Sequence, residues 1–355
     1  MKNDKSVIHE LRQPVETPES LIVDGKAQFG TFKEPFRVLN ALDCVKPCGA
    51  LFPHFLNKIR LTEWEAFELH MDEGALVSAV YNTGTLGFSI FVWFDKRTQK
   101  ITAWKNFVLP SKVKVASQLV DDHCYLKTKK SEYTIQNDLM NGKARAFGYS
   151  TSKKSGNINL DVSVERLSPP SNVSIPFGVN KPLYSEKDFL KATGYIEVNG
   201  ERFMTNENSV SIIDDHKGYY PFFAHYEWLT TMGRMEIDGS QQYFALNLTK
   251  NQSTDPEKYN ENIIWIEGKS YPLPPVTFDI PSKKATTWHI KDQHGMVDIK
   301  FEISDVFYLP IHAIVIDAYY ALPYGKIYGY VKNEEGKVFN VDGMLGIGEN
   351  KTTRM

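Results

Sequence analysis

"MVDIKFEIS", residues 296–304, alternates without a break: Val297, Ile299, Phe301 and Ile303 are apolar, while Asp298, Lys300 and Glu302 are charged. A period of two sends successive side chains to opposite sides of an extended chain. This stretch therefore reads as a strand with one face in a core and the other in water. The pattern recurs. "LGFSIFVWFD" (86–95) sets Leu86, Phe88, Ile90, Val92 and Phe94 on one face, and "ITAWKNFVLP" (101–110) follows after a short polar turn. "YIEVNGERF" (195–203) carries Asn199-Gly200, a pair suited to a type I′ hairpin turn. "GYVKNEEGKVFNVDG" (329–343) turns between Asn333 and Gly336. Short strands separated by turn residues along the whole chain predict an all-β protein, a sandwich or barrel architecture.

Helical signals are few. "SEKDFLKAT" (185–193) offers Ser185 as an N-cap with Asp188 three residues on, and "TDPEKYNEN" (254–262) places Pro256 just inside a start capped by Asp255. Each predicts one or two helical turns on a connection. "RLSPPSNVSIPFGVNKPLYS" (166–185) holds Pro169, Pro170, Pro176 and Pro182. Proline cannot donate to a sheet ladder, so this run reads as an extended connection between domains. The predicted organisation is a lead-in over 1–35, a first barrel over 36–175 and a second over 176–355. Each half is long enough for a barrel of about eight strands.

Of the 355 residues 24% are charged and 42% hydrophobic, with a formal net charge of −2 and no long basic run. That balance is ordinary for a folded soluble protein and leaves nothing to neutralise a nucleic-acid backbone. The excess is aromatic, 21 Phe, 18 Tyr and 6 Trp, which favours strands and apolar pockets. No apolar run reaches signal-peptide or membrane-span length. The richest, "YLPIHAIVIDAYYALPYG" (308–325), is broken by Pro310, His312, Asp317 and Pro323. The expectation is a cytoplasmic protein with no transmembrane segment. Cys44, Cys48 and Cys124 read as reduced structural thiols rather than a zinc or redox site.

Known catalytic motifs are broken here. "HELRQ" at His9 has Gln13 where a zinc protease needs its second histidine. "WHIKDQHG" (288–295) reads as a hairpin end rather than a metal site. No serine elbow, P-loop or dinucleotide fingerprint occurs, so neither cofactor nor metal is expected.

The densest chemistry lies in "DDHKGYYPFFAHYEW" (214–228). Asp214 and Asp215 either cap a turn through backbone N–H groups or supply an acid raised by burial among Tyr219, Phe222, Phe223, Tyr226 and Trp228. His216 and His225 either relay a proton or line the wall. Asn247 shares a strand face with Tyr243 and Ala245, opposite Phe244, Leu246 and Leu248, and which face turns inward is open. Glu261 and Asn262 read as caps on the short helix. Glu349 reads as a terminal tie or a pocket acid.

The order of "ATGYIEVNGE", "DDHKGYYP", "HYEW", "YFALNLT", "ENIIWIEGKSYPLPPVTFD", "WHIKDQHGMVDIKFE" and "DGMLGIGE" resembles the bacterial DUF2804 family. "WEAFELH" and "FVWFDKRTQK" extend the likeness, over roughly residues 40–355. More distantly it is similar to the tandem-lipocalin group of acyclic carotenoid 1,2-hydratase and the AttH-like and Svf1-like proteins. The resemblance implies two tandem lipocalin-like antiparallel β-barrels with a ligand cavity, and pocket carboxylates that protonate or orient an isoprenoid double bond. Carried onto this chain, it points to Asp214, Gly218, Trp228, Asn247, Glu261, Asn262, Trp265 and Glu349. The chain departs from the family at Phe222, Phe223 and Ala224, where a basic and a small hydroxyl residue are expected. That suits an apolar rather than an anionic ligand.

The reading is a cofactor-independent enzyme working by acid–base chemistry (hydration, isomerisation or cyclisation) on an apolar, lipid-like ligand. Asp214, His225 and Glu349 are the expected catalytic groups. Asp215, His216, Tyr219, Tyr226, Trp228, Asn247, Asn262 and Trp265 are the expected substrate contacts. A non-catalytic carrier of the same ligand is the alternative. A glycan-active enzyme is a third reading and would need two acids about 5 to 10 Å apart, with Asp214 and Glu349 the pair to test.

Overall fold

The computed structural model describes residues 12–312 and 317–354. The motif at His9 lies outside them. The chain is almost entirely antiparallel β, as its alternation predicts, with one nearly closed barrel sheet and one half-barrel sheet. Two compact units result: residues 15–220 form one, and residues 221–355 with the first 14 form the other.

In the 15–220 unit, two meanders meet a central hairpin. The strands Lys100–Val108, Gly87–Asp95, Gly74–Asn82 and Leu61–His70 run in order on one side. Gly156–Arg166, Lys143–Ser152, Ser131–Asp138 and Asp122–Lys127 run on the other. Pro182–Val198 and Val210–Tyr219 join them: the first pairs with Gly156–Arg166, the second with Leu61–His70, and the two pair with each other. Alternate residues of these strands, among them Phe67, Leu69, Tyr133, Ile135 and Ile213, fill one core. Truncating a buried phenylalanine such as Phe67 to alanine would cost about 3 to 5 kcal/mol.

In the other unit, the terminal strand Leu345–Arg354 lies between Phe223–Ile237 and Asp317–Lys332. Ser240–Lys250 and Ile263–Ile266 continue from the first of these, Val297–Tyr308 and Thr287–Asp292 from the second. Val297, Ile299 and Phe301, from the opening stretch, enter this unit's core with Leu246 and Leu248. Pro323 sits within Asp317–Lys332 where the facing strand shifts register between Ile303 and Asp305, and an irregular ladder tolerates a residue with no N–H.

The hairpins at Asn199-Gly200 and Asn333–Gly336 form as their residues predict. Asn199 and Gly200 both take positive φ, and Lys332 pairs with Val338. Three expectations are corrected. Residues 185–193 are not helical but the middle of Pro182–Val198, buried on both faces from Pro182 to Leu190. Residues 254–262 form turns without a helix. The proline-rich run is no domain boundary either. Ser171–Pro176 and Pro182–Val198 pair as a hairpin in one sheet, so the units divide at Tyr220/Pro221 instead of 175/176. The expected lead-in is likewise split. Gly30–Phe32 pairs with Ser171–Pro176, whereas the Arg12 guanidinium donates to the carbonyls of Asn262 and Leu273.

Candidate active site

Within Val210–Tyr219, alternation deals the run "DDHK" to two faces. Asp214 and His216 lie on one, Asp215 and Lys217 on the other. Register fixes their neighbours. Asp214 stands between Lys187 and Ala66, and His216 between Ser185 and Trp64.

The first face holds a compact proton-sharing group. Asp214 Oδ1 lies 2.6 Å from Lys187 Nζ and 2.8 Å from His216 Nε2. Lys187 Nζ and His216 Nε2 are themselves 3.2 Å apart. All three residues are buried. Charge-assisted contacts of this length are strong, and the carboxylate can hold both partners in place. Behind them runs a ladder of rings across adjacent strands. His216 stacks on Trp64 at 4.4 Å, Trp64 on Tyr81 at 5.1 Å, and Tyr81 on Phe88 at 4.7 Å. Tyr220 also stacks on Trp64, at 5.9 Å. A titratable triad is thus backed by a continuous apolar, electron-rich surface.

The opposite face carries a second polar group inside the core of the same unit. Glu186, Asp215 and Glu65 stand opposite one another on three adjacent strands, with Lys217 beside them, and none is exposed. Asn137 Nδ2 donates to Glu65 Oε2 at 2.6 Å, and the Cys124 thiol donates to the same oxygen at 3.1 Å. Lys217 Nζ lies 3.6 Å from Glu63 Oε1 and 3.7 Å from Asp215 Oδ1, ion-pair distances rather than hydrogen bonds. Burial, reinforced by Asp215, pushes the Glu65 carboxyl up to about 8. Burial lifts Asp215 to about 6 against the pull of Lys217 and His216. Burial alone would lower Lys217, but Asp215 and Glu63 outweigh it and hold the ammonium above its usual range. The Cys124 thiol is driven well up by burial, then by Glu65, and is therefore a poor nucleophile.

The remaining sequence-selected residues fall elsewhere. Tyr219 points to the core face, away from the Asp214 side of its strand, and donates to the Ala41 carbonyl at 3.1 Å. It is not a neighbour of the triad. His225, in the other unit, contacts Thr352 Oγ1 and Glu227 Oε1, each at 3.0 Å, and its bond to Glu227 raises its pKa. His225 is the exposed member of that pair, and the Glu227 carboxylate is buried. Asn247 lies on the face away from its unit's core, which Phe244, Leu246 and Leu248 enter. Its amide is nonetheless satisfied: Trp228 Nε1 donates to Asn247 Oδ1 at 2.7 Å, and Asn247 Nδ2 donates to the Glu261 carbonyl at 2.8 Å. Asn262 caps no helix. It accepts from the Thr249 N–H at 2.6 Å and donates to the Pro274 carbonyl at 2.8 Å. Together these bonds tie strands of the second unit. Trp265 is fully buried on the Asn247 face, opposite Ala245. Tyr226 receives Lys351 Nζ at 3.2 Å, and Glu349 stands opposite Trp228.

Lys187, Trp64, Tyr81, Glu65 and Lys217 escape the sequence reading. One signal was available: "SEKD" (185–188) and "DDHK" (214–217) place Lys187 against Asp214 once the strands are antiparallel. Among the described residues no cluster of His, Cys, Asp and Glu has the makings of a metal site, and no helix is long and apolar enough to cross a membrane.

The fold and this site define an all-β protein of two rolled antiparallel sheets, with a titratable triad on an aromatic ladder. The chain belongs to the DUF2804 family, a domain of unknown function, which matches residues 10–355. No curated protein matches it. Among solved structures it is similar to kievitone hydratase from Nectria haematococca, at 12% identity over 92% of this chain and 98% of that one, with a TM-score of 0.49. It is also similar to CghA in complex with Sch210972, at 11% identity over 82% and 88% of the two chains, with a TM-score of 0.43.

Proposed function

We propose that the protein is a cofactor-independent acid–base enzyme acting on a small apolar substrate, by hydration, isomerisation or cyclisation. The observation that carries this reading is the placement of Asp214 Oδ1 within 2.8 Å of both Lys187 Nζ and His216 Nε2, with His216 stacked on Trp64. Addition to or rearrangement of a double bond needs a proton delivered to carbon and, in the reverse sense, removed from it. A positioned general acid or base contributes typically 10²- to 10⁴-fold to such a step. In the proposed arrangement His216 is the group that exchanges the proton. Asp214 orients its ring and stabilises the imidazolium, and Lys187 keeps Asp214 in the carboxylate form.

This assignment moves the acid role from Asp214, where the sequence puts it, to the Asp214–His216 pair, and it leaves out His225, whose partners are Glu227 and Thr352. The first test is to identify what the protein carries. Organic extracts of the purified protein, analysed by mass spectrometry, should contain a lipophilic molecule with a double bond or the corresponding alcohol. Incubation of that molecule with the protein in D2O should place solvent deuterium on carbon. A bound lipophile that never acquires deuterium would instead make the protein a carrier.

A further inference from the structure

In the 15–220 unit, two connecting segments hold apolar side chains out in water. Leu51 is 100% exposed, Val179 97% and Phe55 72%, and Leu42, Val45 and Ile59 are also exposed. The segments do not splay at random, because a polar clasp fixes them. Asn180 Nδ2 donates to the Val45 carbonyl at 2.6 Å and the Gly25 carbonyl at 3.0 Å, and its own carbonyl accepts from the Cys44 thiol at 3.2 Å. Asn57 Nδ2 donates to the Cys44 carbonyl at 3.4 Å. Cys44 and Asn57 are buried beneath. The residues between and beside these anchors therefore project as one patch.

The patch is also cationic. Residues 42–60 and 177–181 hold Lys46, Lys58, Arg60 and Lys181 against one acid, Asp43, in a chain whose formal net charge is −2. Exposed apolar tips rimmed by basic side chains complement a surface with an anionic outer layer over a hydrocarbon interior. Another protein's acidic face would match the charge but would leave Leu51, Phe55 and Val179 without a slot. A neutral apolar partner would leave the lysines unmatched.

We infer that this patch docks the protein peripherally on anionic lipid bilayers, with Leu51, Phe55 and Val179 entering the headgroup–acyl boundary and Lys46 and Lys58 meeting lipid phosphates or carboxylates. The inference stands on its own observations and does not require that the protein be an enzyme.

The test is co-sedimentation with vesicles of phosphatidylcholine alone and of phosphatidylcholine with about a third phosphatidylserine, at low and high salt. Binding is expected to the anionic vesicles only and to weaken with salt, since the lysine attraction is screened beyond roughly 10 Å at 0.1 M. The double variant Lys46→Glu/Lys58→Glu should lower the partition coefficient at least tenfold, each lysine near such a surface being worth about fivefold. Leu51→Ser/Phe55→Ser should lower it similarly while leaving the unfolding temperature unchanged, because neither side chain is buried. Equal binding to both kinds of vesicle, no binding to either, or anionic binding unmoved by both double variants would overturn the inference. So would concentration-dependent self-association in light scattering that the Leu51→Ser/Phe55→Ser variant abolishes, because the patch would then be an interface between copies.

Discussion

Asp214 and Asp215 are neighbours in sequence and face opposite sides of one strand. The first reaches Lys187 at 2.6 Å among aromatic rings, the second lies 3.7 Å from Lys217 inside a core. A single run of four polar residues therefore serves two polar groups on opposite faces, and the two are separable by experiment.

On the first face, the ion pair is almost dry. Lys187 and Asp214 have side-chain exposures of only 2% and 12%. Removing one member of a buried pair strands the other charge, at a cost of about 3 kcal/mol or more. Asp214→Ala is expected to show a loss of that order in urea unfolding. Asp214→Ala combined with Lys187→Met is expected to recover part of it. A double variant as unstable as the sum of the two single variants would show that the pair is not coupled.

His216 should report its neighbours with opposite signs. Asp214→Asn removes an anion 2.8 Å from the ring, so the midpoint of His216 titration followed by NMR should fall. Lys187→Met removes a cation 3.2 Å away, so the midpoint should rise. Shifts in the same direction would contradict the geometry.

On the second face, Glu65 and Asp215 both carry raised pKa values, about 8 and about 6. An acid whose folded pKa lies above its unfolded value stabilises the fold below the unfolded pKa, and that contribution is lost as pH rises through the folded one. Stability should therefore decline from about pH 4.5 to pH 8 through these groups. Glu65→Gln keeps an oxygen for Asn137 but cannot ionise. It should flatten the decline and leave the variant more stable than the wild type at pH 8.5. Parallel pH profiles for the two proteins would rule this out.

Asn247 offers a contrast, because both ends of its amide are bonded within the protein. Asn247→Leu would leave the Trp228 N–H and the Glu261 carbonyl without their bonds. A loss of about 2 kcal/mol is expected in chemical denaturation, since an unsatisfied buried donor costs about 1 to 3 kcal/mol. If ligand exchange rather than stability changed, the residue would belong to a binding surface.

Strands and tight hairpins were legible in the sequence because their information is local. Alternation in "MVDIKFEIS" and the Asn199-Gly200 turn depend on residues a few positions apart. The two short helices that the sequence predicts do not form, and for the first the reason is physical. Glu186, Lys187 and Asp188 look like a solvated cap and first turn, but all three are buried in a strand, where Lys187 meets Asp214 and Asp188 meets Arg166 on neighbouring strands. The proline run misled in a similar way, since Pro176 and Pro182 bracket a hairpin turn at the ends of paired strands instead of a linker. Asp214 was found because it sits in a dense polar–aromatic run. Lys187 and Trp64 were not, because only the antiparallel register brings Lys187 opposite Asp214 and Trp64 opposite His216. With a turn at Asp214 and Asp215 left open as one of two readings, the strand alternation that separates Tyr219 from Asp214 was not applied there.

In the proposed reaction the Asp214 group moves protons to and from carbon. The most direct measurement compares the wild type with Asp214→Asn on the co-purifying lipophile in D2O, following deuterium incorporation by mass spectrometry and affinity by titration on the same samples. Incorporation is expected to fall at least 10²-fold in the variant while affinity changes less than about threefold. Undiminished incorporation in Asp214→Asn, or none in the wild type with the lipophile bound, would contradict it.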